Sequence, residues 1–428
     1  MNLIFGKILE ENDCENALAH LEDSVLRTLS SGNLSPVRVI EACDQLVREM
    51  DETIYLEAMA GLGISEVLGR KYLAQAKEMF SAQALRHRMQ AELGPHWEGT
   101  RHFLPPFENK SVTEQNCPLG VLLHIAAGNA DGLPAFSVLE GLLTGNVNIL
   151  KLPAAEGGLS VRLLWELIQI DPGLADYIYV FDYSSKDIFH MEKLIDVADG
   201  IVVWGGEQAV SAFRGMIKPH IKLIEWGHKI SFSYVTKAGM TNEGMMKIAG
   251  NIAETGQLLC SSCQGIFLDT DSMDDIFDFC EAFLPVLDHV IKEKHGTMDM
   301  GVQAQSALQV YCAQLESMYT GARIFKGENG SLTALNNPVL ETSLQFGNAW
   351  VKPLPRKDLL KAIRPYKNFL QTVGLLCNDS ERDEITNILF KTGVVRICLP
   401  DKMSETYCGA AHDGEYPLRR YTKVTSIS

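Results

Sequence analysis

The sequence has no dense run of lysine or arginine. Its 38 Lys+Arg are outnumbered by 54 Asp+Glu, a formal net charge of −16. A surface this acidic repels phosphate, which excludes nucleic acid as a main partner. Long hydrophobic runs are missing too. Stretches such as VLEGLLTGNVNIL (138–150) are broken by Gly, Asn and Glu, well short of the about 18 apolar residues of a membrane span. The opening residues MNLIFGKILEENDCEN lack a basic start, a long apolar centre and a small-residue cleavage site, so no secretory signal is expected. Cysteine is sparse, with ten residues scattered over 428, and the expectation is reduced thiols in a cytoplasmic protein. The motifs G-x-G-x-x-G, G-x-x-x-x-G-K-[ST] and G-x-S-x-G are all absent. That removes the commonest nucleotide fingerprints and leaves serine-hydrolase chemistry without support.

What is present is the balance of a folded protein, 46% hydrophobic and 21% charged, with a length that suits two domains. Residues 15–92 read as helical, with apolar positions three and four apart in SEVLGRKYLAQAKEMFSAQALRHRM (65–89). Residues 93–116, rich in Pro and Gly, read as loop or irregular hairpin. From Pro118 short apolar runs alternate with helical stretches: GVLLHIAA (120–127), NVNILKLP (146–153), YIYVFDY (177–183), GIVVWGG (200–206) and IKLIEWG (221–227). Such alternation predicts βα units and a parallel sheet. After a boundary near 228–231 a second α/β series begins with ISFSYVT (230–236). Helices are expected over 241–256, 273–294 and 300–319, followed by strand-like pieces in RIFKG, AWVKPL and VVRICLP. The expected division is 1–229 for the helical region plus first lobe and 230–405 for the second lobe. A C-terminal segment, 406–428, is expected to return to the first lobe or to a subunit interface.

Few residues stand out for chemistry. Gly205 and Gly206, in VVWGGEQAV (202–210), form a strand-to-helix turn of the kind that leaves backbone N–H groups open to phosphate, or that simply turns the chain. Lys151 ends a strand, where it either faces a ligand crevice or is solvated. Cys260 lies on a loop between elements, and loop cysteines serve as thiolate nucleophiles when their surroundings favour the anion. With Cys263 it makes C-x-x-C, the pattern of a redox pair or half a zinc site, but no further ligands accompany it and no metal is expected.

Four stretches, PLGVLLHIAAGNADGLP (118–134), NVNILKLP (146–153), IEWGHKISFSYV (224–235) and GQLLCSSCQG (256–265), together with HDGEYPLRRYTKV (412–424), resemble the aldehyde dehydrogenase superfamily. Within it they are similar to the long-chain acyl-CoA reductases of bacterial luminescence systems. The resemblance implies an α/β, aldehyde-dehydrogenase-like fold of two Rossmann-like lobes, coenzyme-binding and catalytic. It implies Cys260 as acyl-accepting nucleophile, Asn129 as oxyanion donor, and Glu225, 35 residues before the cysteine, as the acidic residue of an E-x-G-x-K element. Lys151, Gly205, Gly206, Glu207 and Gly227 become cofactor-binding candidates, with NADPH as the expected cofactor and NADH as the alternative. The implied activity is reduction of a fatty acyl thioester, on coenzyme A or on a protein, to an aldehyde. The implied partners are an acylated protein, an acyl-protein synthetase or acyl-transferase subunit, and further copies of the chain. Two other functions stay open at this level: an aldehyde or semialdehyde dehydrogenase with Glu225 activating water, and an acyl-carrying subunit with little turnover.

Overall fold

The computed structural model describes residues 1–9, 11–61, 66–126, 133–153, 158–295 and 300–428. Two compact units divide the chain: Met1–Gly227 with Tyr407–Ser428, and His228–Thr406.

The first unit holds strands β1 (Asn2–Ile4), β2 (Lys7–Leu9), β3 (Thr100–Phe103), β4 (Val112–Pro118), β5 (Val121–Ile125), β6 (Val147–Lys151), β7 (Ile178–Phe181), β8 (Gly200–Trp204) and β9 (Lys222–Trp226). Among the described residues, seven of them form a sheet ordered β2-β1-β7-β6-β5-β8-β9. The pairs among β5 to β9 are parallel, while β1 runs antiparallel to both β2 and β7. Continuous apolar sequence explains the parallel part, because β5, β6 and β7 are buried at every position and helices cover both faces. Helices Pro36–Glu49, Leu133–Leu143 and Leu159–Ile170 pack one face through Val39, Ile40, Leu142 and Leu164. Helices Leu21–Ser31, Ile188–Asp196 and Glu207–Met216 cover the other through Val25, Leu194 and Phe213. The N-terminal helices are therefore layers of this unit. The chain winds outward from β5 through β6 to β7, then restarts beside β5 at β8. In open α/β sheets a reversal of this kind is where ligands bind, at the carboxyl ends of the strands.

The second unit holds β10 (Ile230–Val235), β11 (Cys263–Leu268), β12 (Arg323–Lys326), β13 (Ser331–Ala334), β14 (Asn348–Pro353), β15 (Leu370–Leu376) and β16 (Arg396–Cys398). Their order is β12-β13-β14-β11-β10-β15-β16, parallel apart from β12 with β13. Helices Asn242–Thr255 and Met273–His295 pack one face, Arg356–Ile363 and Asp379–Thr392 the other. Gly265 is required on β11, since a Cβ there would lie 2.0 Å from the Trp350 indole.

Strand β17 (Thr422–Ile427) returns to the first unit and pairs antiparallel with β4, which pairs with β3. Its approach is anchored in buried polar contacts. Leu418 N–H donates to Glu92 Oε2 at 2.8 Å, and the Tyr421 hydroxyl donates to Glu140 Oε2 at 3.2 Å. Arg88 bridges both carboxylates, 2.6 Å from Glu92 Oε1. Among the described residues no helix is long and apolar enough to cross a membrane.

Candidate active site

Cys260 sits in the turn that joins helix Asn242–Thr255 to β11. The helix stops because Gly256 adopts the left-handed conformation (φ +55°), and Gln257 follows at φ +64°. A positive φ at a non-glycine residue persists only when its surroundings over-determine it, and those of Gln257 do. Its side-chain amide donates to Cys263 O at 3.1 Å, its Oε1 accepts from Gly347 N–H at 3.1 Å, and its carbonyl accepts from Gln264 Nε2 at 2.8 Å. The next turn closes through Ser262 N–H to Leu259 O at 2.9 Å, which places Cys260 at its corner.

The nucleophile candidate is exposed, with its backbone and its sulfur both held. Ser231, buried on β10, donates its hydroxyl to Cys260 O at 2.7 Å, and Gln371 Nε2 on β15 donates to Cys260 Sγ at 3.1 Å. Cys263 differs from it in burial. It is fully buried on β11, lies 3.2 Å from Ser233 Oγ, and burial pushes its thiol up to about 11. The C-x-x-C pattern thus pairs an exposed thiol with a packed one, and among the described residues no cluster of His, Cys, Asp and Glu could hold a metal.

In the first unit the cofactor-binding candidates stand at the carboxyl edge of the sheet. Lys151 ends β6, 3% exposed, and donates from Nζ to Ser185 Oγ at 2.6 Å. Burial pulls its ammonium below the usual lysine range, and Asp182 opposes that pull. Gly205 and Gly206 link β8 to helix Glu207–Met216. Gly206 is the N-cap, and among the described residues no side chain caps the helix and a Cβ at Gly206 would meet nothing within 4 Å. Glu207 opens the helix as an exposed acid, and Gly227 follows β9. Asn129 lies outside the described residues. Glu225 on β9 is not a free carboxylate, because Arg214 forks onto it, Nε to Oε1 at 2.5 Å and Nη2 to Oε2 at 2.6 Å.

Beneath β8 runs a buried polar chain that the sequence did not disclose. Trp204 Nε1 donates to Ser137 Oγ at 3.0 Å, Ser137 lies 2.7 Å from His124 Nδ1, and His124 Nε2 lies 3.0 Å from Asn148 Oδ1. His124 was hidden as the fifth residue of the apolar run GVLLHIAA, and Gln371 was hidden by distance.

The family model for acyl-CoA reductase (LuxC) matches residues 37–424. The long-chain acyl-protein thioester reductase 2 of Photobacterium leiognathi is 25% identical over 320 residues, 72% of this chain and 64% of that protein. The long-chain acyl-protein thioester reductase of Aliivibrio fischeri is 23% identical over 323 residues, again 72% and 64%. The match thus spans less than two thirds of these relatives. Among solved structures, methylmalonate-semialdehyde dehydrogenase from Oceanimonas doudoroffii superposes with a TM-score of 0.76 at 12% identity, covering 100% of this chain and 97% of that one. Glyceraldehyde-3-phosphate dehydrogenase GapN from Methanocaldococcus jannaschii, complexed with NADP, gives a TM-score of 0.70 at 12% identity, covering 98% and 95%. The chain has the aldehyde dehydrogenase fold and belongs to the acyl-CoA reductase (LuxC) family.

Proposed function

We propose that the protein reduces a long-chain acyl thioester to the aldehyde through an acyl-Cys260 intermediate. The observation that carries this reading is the contrast within C-x-x-C: Cys260 is exposed and held at sulfur and carbonyl, while Cys263 is buried. The Cys260 thiolate attacks the acyl carbonyl, the donor's C–S bond breaks, and the departing thiolate takes a proton from solvent. Asn129 Nδ2 and the Cys260 backbone N–H are the proposed oxyanion donors, each worth about 2.7–4 kcal/mol in such sites. When bound, a reduced nicotinamide supplies the hydride for the thioacyl carbon. The resulting thiohemiacetal oxyanion re-forms a C=O bond, expelling the Cys260 thiolate and releasing aldehyde.

The residues of the first unit fit such a cofactor. A helix N-terminus at Gly206 that no described side chain caps, beside the reversal between β5 and β8, suits a pyrophosphate. Lys151 and Ser185 would bind ribose hydroxyls or a 2′-phosphate, which supports NADPH with NADH as the alternative, and Glu207 and Gly227 would line the same edge. Leu258 and Leu259, 57% and 44% exposed directly before Cys260, favour an apolar acyl group. The names of the relatives favour a protein-bound donor, so an acyl-transferase or synthetase subunit is the proposed partner, with coenzyme A thioesters as alternative substrates. The proposed location is the cytoplasm, and the proposed assembly a homo-oligomer.

The test is NADPH and NADH consumption on adding acyl-CoAs of graded chain length, with Cys260→Ser alongside. Thioester-dependent consumption yielding aldehyde, abolished in the variant, is expected. NAD(P) reduction by aldehydes without thioester turnover would replace the reading with an oxidising dehydrogenase. An acyl-Cys260 adduct without turnover in either direction would make the chain an acyl carrier.

A further inference from the structure

β10 is the only one of the seven strands in its sheet, among the described residues, whose register slips against both neighbours. Against β15 it pairs Ile230 with Leu370 and Phe232 with Val373, so Ser231 faces two residues, Gln371 and Thr372. Against β11 it pairs Ser231 with Cys263 and Ser233 with Ile266, so Phe232 faces Gln264 and Gly265. Bulges of this kind re-aim side chains beside active sites. Here the extra residue of β15 leaves Leu370, Thr372 and Val373 buried while Gln371 reaches outward to sulfur. The ladder is mended by a side chain: Thr372 N–H donates to Ser231 Oγ at 3.0 Å, and the Ser231 hydroxyl in turn donates a hydrogen bond to Cys260 O at 2.7 Å.

From this we propose that Gln371 is a catalytic residue whose Nε2–H bond to Cys260 Sγ orients the sulfur and stabilises its thiolate, with Ser231 as the positioning residue for the turn. The inference rests on Cys260 being the acyl acceptor. An amide N–H gains most from an anionic acceptor, so the bond favours thiolate over thiol. Once the sulfur is acylated it becomes a poor acceptor, and the bond is lost; collapse of the thiohemiacetal restores it together with the thiolate. The amide therefore favours both the attacking and the leaving form of the same sulfur. The cations on the adjoining strands are tied to carbonyls, Lys229 to Asn368 O at 2.8 Å and Arg396 to Met403 O and Lys402 O at 3.2 and 2.9 Å. Neither bonds Gln371, so a variant there leaves both cations in place.

The experiment is the rate of iodoacetamide modification of Cys260, followed by peptide mass spectrometry from pH 6 to 10, in wild type, Gln371→Leu and Gln371→Glu. Losing the amide is expected to move the midpoint of the rate profile up by about one pH unit and slow modification near neutrality about tenfold. The carboxylate of Gln371→Glu, similar in size, is expected to move it further in the same direction. Ser231→Ala is expected to slow acyl transfer without moving the midpoint. Profiles of Gln371→Leu and Gln371→Glu that overlay wild type would overturn the inference. Acyl-adduct formation at Cys260 of wild type is measured in parallel with tetradecanoyl-CoA. Its absence would defeat the nucleophile reading itself, whereas an adduct with unmoved profiles would defeat only the role of Gln371.

Discussion

Acidification should act on this protein through His124. The imidazole is wholly buried on β5 and both its nitrogens are committed. Asn148 Nδ2 donates to Asn146 O at 2.7 Å, so Asn148 Oδ1 must accept from His124 Nε2–H. Ser137 Oγ already accepts from Trp204, so its own hydrogen goes to His124 Nδ1. A second ring proton would collide with that hydroxyl hydrogen in a dry site. Burial accordingly pushes His124 down from 6.5 to about 4, with Asn148 resisting. The sign follows: between those values the unfolded chain binds a proton that the folded one refuses, so the stability is full above pH 6.5 and falls as pH drops toward 4. Over that interval, at 1.36 kcal/mol per unit, the loss is about 3 kcal/mol. The assay is histidine ring NMR across pH 7.5 to 4.5, with His124→Gln identifying the resonance, and urea unfolding of both proteins at each pH. One histidine signal, absent in the variant, should keep its neutral shift to below pH 5, and wild type should lose more stability on acidification than the variant does. A His124 signal titrating near 6.5 in folded protein, or parallel stability losses, would refute the reasoning.

Brief iodoacetamide treatment at pH 8 should label the exposed Cys260 and Cys312 but not Cys263, whose thiolate fraction there is about one in a thousand; equal labelling of Cys260 and Cys263 in peptide maps would contradict its burial. Gly265→Ala should destabilise the second unit by about 3 kcal/mol, because the new methyl would overlap the Trp350 ring between paired strands, and an unchanged thermal midpoint by tryptophan fluorescence would count against that packing. Glu225→Gln should leave thioester reduction within a few fold of wild type, since the carboxylate is held by Arg214, and change stability little, because the arginine of the pair is exposed. If Glu225 were instead the base that activates water, turnover would fall about 10²–10⁴-fold.

The parallel sheet of the first unit was legible because β5 to β8 are short apolar runs buried on both faces, and the patterns of 273–294 and 300–319 anticipated helices Met273–His295 and Met300–Thr320 closely. Less local features were not. β1 and β2 are three residues each, too short for alternation to register. Helix Pro36–Glu49 shows its apolar stripe in sequence, yet nothing in a stripe names Leu142 and Leu164 as what it covers. The irregular hairpin expected over 93–116 exists as β3 and β4, but its third strand arrives from Thr422–Ile427, a pairing between segments over 300 residues apart that no local pattern encodes.

β15 shows why the site was harder to read than the fold. Its sequence, LQTVGLL, is interrupted by Gln, Thr and Gly, so it reads as less strand-like than RIFKG or VVRICLP, although it is an inner strand, paired with β10 on one side and β16 on the other. Each interruption has a local cause. Gln371 is the bulge residue turned to Cys260, Thr372 donates its N–H to Ser231, and a Cβ at Gly374 would lie 2.6 Å from Met403 Sδ and 2.9 Å from Ser233 Oγ. The departures from a clean hydrophobic strand are thus the places where the strand does something besides pack. Cys260 could be singled out because its loop carries its own signature in consecutive residues. Gln371 could not, because its role comes from a one-residue slip between strands whose register is set by burial on both sides, 111 residues along the chain from the sulfur it touches.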